Sequence, residues 1–111
     1  MDSYRANLRT ILSKLREVYQ GTLVLVTYYA PKRDLIPAAI WLNSIMVEVG
    51  TAFEAKIADG FGAFQLVAAL YGGDPCAAQL LIPMPDGSCD VHPTLAGQGL
   101  LAGAVEVAIG K

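Results

Sequence analysis

One unbroken run of aliphatic, β-branched and aromatic residues, TLVLVTYY at positions 22–29, limits most strongly what this chain can fold into. A strand with one face in water alternates apolar and polar side chains, and this run does not alternate. Parallel strands that are covered on both faces have this continuous apolar character. The run therefore predicts an interior strand of a parallel sheet, with helices packed on both sides of it.

The segments around this strand predict alternating helices and strands. We predict helices at residues 3–19, 37–53 and 93–109, a second short strand at 56–59, a short helix or turn-rich segment at 61–71, and a loop at 82–88. The helices are predicted from apolar positions that recur every three or four residues, and the loop is predicted from its prolines and glycine. Strands that alternate with helices indicate right-handed crossovers and a parallel sheet, and hence an α/β fold.

The composition indicates that this sheet is not complete in itself. The chain has 111 residues, of which 54% are hydrophobic and only 16% charged, and its mean hydropathy is +0.45. A small domain has too little interior for so much apolar material. Two parallel strands also leave an interior strand without one neighbour. We therefore expect a homo-oligomer, or a domain whose other half is missing from these residues.

Charge and patterning exclude several classes of partner. The net charge of −2 comes without a basic stripe, so we expect no nucleic-acid partner. Gly, Pro, Asp or Glu interrupts every long apolar stretch, and the first residues lack a signal-peptide core, so we expect no transmembrane segment and leave the location open. Nothing in the sequence indicates a cofactor or a metal site. Cys76 and Cys89 lack CxxC spacing, and either a disulfide or two free thiols is compatible with their positions.

The sequence contains one histidine, His92, directly before Pro93 at the predicted start of the last helix. A lone histidine is most often a surface or capping residue. Two features favour a functional interpretation here. The segment follows the last predicted strand, and reactive groups of open α/β sheets gather beyond the carboxyl ends of strands. In addition, Asp86 and Asp90 lie close enough in sequence to orient the imidazole, whose ordinary pKa of about 6.5 suits proton transfer at neutral pH.

The segment DGSCDVHPTLAGQG, residues 86–99, resembles the last block of the SGNH (GDSL-type) serine esterases and lipases. In that family a D-x-x-H-P or D-x-H-P loop, followed by x-x-x-G, opens the final helix and presents the catalytic histidine. The upstream segments at 4–16, 23–29, 42–43 and 57–61 are similar to the helices and strands that precede this block. The resemblance implies that residues 1–111 form a partial three-layer α/β/α, flavodoxin-like domain that lacks the nucleophile half.

The same resemblance implies a carboxylic-ester hydrolase that acts on a small-molecule or lipid ester, with His92 as its general base. The family's usual aspartate stands three residues before the histidine, where this chain has Cys89. Asp90 is the nearest carboxylate and the candidate third member. We expect its side chain to point away from His92 in an extended segment, so that the segment has to turn for the two to meet. The backbone carbonyl of Cys89 is the alternative partner of the ring.

The blocks that hold the family's nucleophile are absent. No Gly-Asp-Ser motif is present, nor the Gly and Asn that complete the oxyanion hole. Ser3, Ser13 and Ser44 fall at or within predicted helices, and Ser88 stands near His92 without a nucleophile elbow. Two hypotheses follow. The chain is the histidine-bearing portion of an ester hydrolase, or it is a catalytically inactive remnant that acts as a self-associating or partner-binding module.

Overall fold

The computed structural model describes residues 2–110 and contains α-helices and two small sheets in that range. The helices are α1 (Asp2–Val18), α2 (Ile36–Ala52), α3 (Gly60–Ala68) and α4 (Leu95–Ala108), and the strands are β1 (Val24–Val26), β2 (Lys56–Ala58), β3 (Leu81–Pro83) and β4 (Cys89–Pro93). Short 3-10 turns at Arg33–Leu35 and Ala69–Tyr71 precede α2 and follow α3. The mixed α/β class expected from the sequence is confirmed.

The first sheet is the parallel pair that the alternating pattern predicted. Strand β1 pairs with β2 in a register that places Leu25 opposite Ile57. The regular strand is shorter than the apolar run of residues 22–29, because β2 is only three residues long and offers few hydrogen-bonding partners. Beyond the strand, the Thr27 N–H still donates to the carbonyl of Ala58 at 3.0 Å.

Helices α1 and α2 pack against the Leu25 side of this pair. A buried cluster of Leu12, Ile45 and Val49 is joined there by Leu23 and Leu25, among others. Gly50 permits the close approach of α2, because a Cβ atom at this position would lie 2.8 Å from Leu25 Cδ1 and 3.1 Å from Ile57 Cδ1. The apolar stripe of the first helix therefore contributes to a core that closes one side of β1.

A second core lies among α3, α4 and the other sheet. Its buried members are Phe64, Leu80 and Leu81. Gly60 brings this layer close to the first sheet, because a Cβ there would lie 2.8 Å from Leu101 Cδ2 of α4 and 2.9 Å from Val26 Cγ1 of β1. The expectation that β1 is fully covered on both faces is nevertheless wrong, since Val26 stays 38% exposed.

The second sheet, an antiparallel pair of β3 and β4, is where the sequence interpretation was wrong. Of the predicted loop 82–88, residues 84–88 do form the turn of a hairpin, but Ile82 and Pro83 belong to β3, where Leu81 pairs with Pro93 and Pro83 pairs with Cys89. Prolines do mark loops, but they are also tolerated at the ends of strands, where Pro83 and Pro93 stand. The segment that carries His92 is consequently a strand and not a loop.

One helical stretch, Arg33–Ala52, is apolar and long enough to qualify as a candidate membrane span by length and composition. A core helix of a soluble protein satisfies the same criteria, so this is a weak indication. Within this stretch Ala39, Ile45 and Val49 are buried against the rest of the chain. The described residues 2–110 therefore contain no firm transmembrane segment.

Candidate functional site

Strand β4 brings the two candidate site residues together. His92 Nδ1 lies 3.0 Å from Asp90 Oδ2. We expected the segment to turn for this contact, and that expectation is wrong. Successive side chains of a strand alternate between its two sides, so positions 90 and 92 share one side without any turn. The ring is held by the Asp90 carboxylate and not by the Cys89 carbonyl, the alternative acceptor.

The electrostatics of this pair favour a charged carboxylate. The hydrogen bond with His92, followed by one from the backbone N–H of Val91 at 2.7 Å, lowers the pKa of Asp90 below its ordinary value. An ionised carboxylate only accepts hydrogen bonds, so Nδ1 of the imidazole carries the proton that it donates to Asp90. The His92 side chain is 72% exposed, and no group of residues 2–110 bonds to its Nε2. That nitrogen is free to accept a proton from an incoming group.

Tyr29 links this strand to the end of β1. Its hydroxyl donates a hydrogen bond to the carbonyl of Val91, the residue between Asp90 and His92. The Tyr29 ring packs on the buried Phe64 with ring centroids 4.6 Å apart. Burial, followed by the nearby Tyr28 and Asp90, raises the pKa of the Tyr29 hydroxyl, which therefore stays a donor at neutral pH. The candidate pair thus lies beside the segment that leaves the carboxyl end of β1.

Both ends of β4 are fixed to the second core. At its start, Cys89 forms a disulfide with Cys76, with Cα atoms 5.7 Å apart, which decides between the two states that the sequence left open. Just beyond its end, the Thr94 backbone N–H donates to the Leu80 carbonyl at 2.9 Å, and the Thr94 hydroxyl donates to the Gln79 carbonyl. The strand that carries the pair is therefore tied to neighbouring segments at both of its ends.

The hydroxyls and carboxylates near the pair have other roles. Ser88 donates its hydroxyl to Asp86 Oδ1 at 2.6 Å, and its backbone N–H donates to the same oxygen. These two bonds lower the pKa of Asp86 and commit it to the hairpin turn, so Asp86 does not orient His92. The Ser44 hydroxyl donates to the carbonyl of Trp41. No serine hydroxyl in residues 2–110 bonds to the imidazole.

A broad open cleft of about 970 Å³ lies next to the hairpin. It is lined by residues 31–34 of the segment after β1, by Ile36 and Pro37 at the start of α2, and by residues 87–89 with Asp74 and Cys76. Lys32, Arg33, Asp34 and Asp74 give it charges of both signs. Asp90 and His92 do not line it, although their neighbours Ser88 and Cys89 do.

Sequence reasoning missed the contact of Tyr29 with Val91, because nothing in a single sequence links residues 62 positions apart. Within residues 2–110, no three His, Cys, Asp or Glu side chains are grouped so that they could hold a metal ion. Comparisons of the chain with protein-family models, with curated proteins and with solved structures find no match.

Proposed function

We propose that this chain supplies the histidine and aspartate of an SGNH-type carboxylic-ester hydrolase, and that the nucleophilic serine comes from another segment or chain. The observation that carries the proposal is the 3.0 Å contact of Asp90 Oδ2 with Nδ1 of a solvent-facing imidazole. This is the arrangement that a base needs when one ring nitrogen is oriented by a carboxylate and the other must face a reacting hydroxyl.

The proposed reaction uses Nε2 of His92, the ring nitrogen to which no group of residues 2–110 bonds. Nε2 of His92 takes the proton of the serine hydroxyl while the serine oxygen attacks the ester carbonyl carbon. The imidazolium that forms is stabilised by the ionised Asp90. The proton then passes from Nε2 to the departing alkoxide as its bond to the acyl carbon breaks, which yields the alcohol and an acyl-serine. A water molecule then gives a proton to the same nitrogen as its oxygen attacks the acyl carbon. The bond between the acyl carbon and the serine oxygen breaks, Nε2 returns the proton to that oxygen, and the acid leaves.

The serine is assigned to another segment because Ser88, the serine nearest to His92 in sequence, is bonded to Asp86. It stands in the hairpin turn, before β4 begins. Acyl transfer also needs backbone N–H donors aimed at the oxyanion, which are usually the largest single contribution to its rate, and the N–H of Ser88 is already bonded to Asp86.

The finer fold assignment is part of the same proposal. A partial three-layer α/β/α domain is supported by the two cores, one on the Leu25 side of β1 and one that reaches Val26 through Gly60 and Leu101. A flavodoxin-like sheet with further parallel strands requires the segment that also brings the serine.

The test is complementation with p-nitrophenyl butyrate as the substrate. We expect no turnover from the chain alone, and turnover when the Gly-Asp-Ser-bearing N-terminal half of an SGNH esterase is added. In that mixture His92→Ala lowers the rate at least about 100-fold and Asp90→Asn by a similar factor.

The variant Ser88→Ala, tested in the complemented mixture and in the chain alone, shows which serine is the nucleophile. Ser88→Ala has no effect on the complemented rate if the serine is supplied from outside. Turnover by the chain alone that Ser88→Ala abolishes contradicts the external nucleophile. A complemented rate that His92→Ala leaves unchanged contradicts the role of the pair, and leaves the inactive module as the better interpretation.

A further inference from the structure

The parallel sheet has an open edge along β1. The Leu23 carbonyl accepts from the Lys56 N–H at 2.8 Å, and the Thr27 N–H donates to the Ala58 carbonyl at 3.0 Å. Because alternate residues of a strand bond to the same neighbour, Leu25 also faces β2. Val24 and Val26 therefore direct their N–H and C=O groups to the opposite edge, where no strand of residues 2–110 pairs with them.

This edge ends at a defined residue. The Asn43 side chain accepts the Tyr28 N–H at 2.8 Å and donates to the Tyr28 carbonyl at 3.0 Å. Asn43 is only 8% exposed, so the amide takes the place of a neighbouring strand at this one position. The open part of the edge is thus confined to Val24 and Val26.

Proteins protect exposed edges with charged side chains, prolines or bulges. Residues 22–27 contain no charged residue and no proline. The other edge of the sheet differs, because β2 exposes only the backbone of Ile57 there and carries the charged Lys56 beside it. The β1 edge is therefore the unprotected one, and an unprotected short edge is a template for another strand.

We propose that β1 pairs antiparallel with β1 of a second copy of this chain, about a two-fold axis at Leu25. Val24 then stands opposite the partner's Val26, and each of these residues both donates to and accepts from the other copy. The result is a continuous sheet in the order β2–β1–β1–β2. A two-fold pairing of identical strands is self-complementary, and because residues 22–27 are uncharged it brings no like charges opposite each other.

A second copy also covers apolar surface that a monomer leaves in water. Val26 is 38% exposed although it lies at the centre of the uncharged run of residues 22–29. The paired edge does not include Asp90 and His92, which lie on β4. A second copy on β1 does exclude a further parallel strand of the proposed hydrolase domain from that edge. The proposal specifies the geometry that a self-associating module would use.

The experiment compares the mass and the amide exchange of the full chain over protein concentration. Sedimentation equilibrium from about 1 to about 100 µM is expected to show a species of twice 11.8 kDa. Hydrogen exchange is expected to show the amides of Val24 and Val26 protected at high concentration and unprotected at low concentration. The Leu25 amide, which bonds to β2, stays protected at both.

Val26→Pro is the informative variant, because the N–H that it removes has no partner within the monomer. Half of the hydrogen bonds between the copies are lost, so the dissociation constant is expected to rise about 10- to 100-fold. The control Val26→Thr keeps the N–H and nearly the same shape, and is expected to leave the dimer intact. Circular dichroism establishes that both variants are folded.

Three results would overturn the proposal. One is a chain that stays monomeric at about 100 µM. Another is a dimer that Val26→Pro and Val26→Thr weaken equally, since this would assign the contact to side chains and not to the backbone edge. The third is rapid exchange of the Val24 and Val26 amides at every concentration while the protein is dimeric, since this would place the interface on another surface.

Discussion

Replacing Gly97 with alanine tests how closely α4 packs against the strand that carries the candidate site. Gly97 is buried in the first turn of α4, where its N–H donates to the capping hydroxyl of Thr94. A Cβ atom at this position would lie 2.3 Å from the Leu80 carbonyl oxygen and 2.9 Å from Pro93 Cβ. The closest of these atoms belongs to the backbone, and the Leu80 carbonyl already accepts the Thr94 N–H.

The magnitude follows from three contributions. Alanine is favoured over glycine within a helix by about 1 kcal/mol. Forcing an extra methyl group into a packed contact costs about 1–3 kcal/mol, and weakening the hydrogen bond from Thr94 to Leu80 costs about 1 kcal/mol more. We therefore expect Gly97→Ala to lower the free energy of unfolding by about 1–3 kcal/mol.

The same helix provides matched controls. A Cβ at Gly99 or Gly103 would meet no atom within 4 Å. Gly99→Ala and Gly103→Ala are therefore expected to raise the free energy of unfolding by about 1 kcal/mol each. Gly97→Ala and Gly99→Ala, which make the same chemical change two residues apart, should then differ by about 2–4 kcal/mol.

The assay is urea denaturation followed by circular dichroism, at one protein concentration because self-association would shift the midpoint. The midpoint should fall for Gly97→Ala and rise for the two controls, with the slope unchanged. If Gly97→Ala is as stable as Gly99→Ala, the close packing of α4 on Leu80 and Pro93 is wrong. The anchoring of the end of β4 through Thr94 and Leu80 would then be wrong as well.

Three further predictions concern the backbone, the charge and the cross-link. Glu54 follows the C-cap residue of α2, Phe53, and has a φ of 59°, so Glu54→Gly should raise the free energy of unfolding by about 0.5–1 kcal/mol, whereas Glu54→Ala should bring no such gain. The carboxyl ¹³C shift of Asp90 should titrate below the ordinary value of about 3.9, and His92→Ala should move this pKa upward. Because the pKa of Asp90 is lower in the folded than in the unfolded protein, the pair stabilises the fold at pH values above the unfolded-state pKa. This contribution is lost as the pH falls through the folded-state pKa. Reducing the disulfide of Cys76 and Cys89, which closes a short loop, should lower the free energy of unfolding by about 3 kcal/mol in a urea titration with and without reductant.

The sequence pattern predicted the three longer helices well. The predicted ranges 3–19, 37–53 and 93–109 each lie within two residues of α1, α2 and α4 at both ends. Periodic burial is a local property, because it depends on which side of one helix faces the core, and a single sequence shows it directly. The parallel pairing of β1 with β2 followed from the same pattern, since a helix between two strands allows the second to return beside the first.

The β3–β4 hairpin was not visible in the sequence, because prolines at its strand ends are equally typical of loops. The misplaced Asp90 side chain is a separate error, because residues two apart lie on the same side of an extended segment and no turn is needed for Asp90 to reach His92. The sequence could identify His92 and the two possible carboxylates. It could not show that Asp86 is committed to Ser88, because that choice depends on the turn geometry.

By itself, then, the sequence determined the helices, the parallel order of the first two strands and the residues able to transfer a proton. The tertiary structure alone decided that Cys76 bonds to Cys89, that Tyr29 donates to Val91 and that Val24 and Val26 face an open edge. The physical reason is distance along the chain. Contacts between remote residues depend on how whole elements pack, and a local pattern of apolar and polar residues contains no information on the register of that packing.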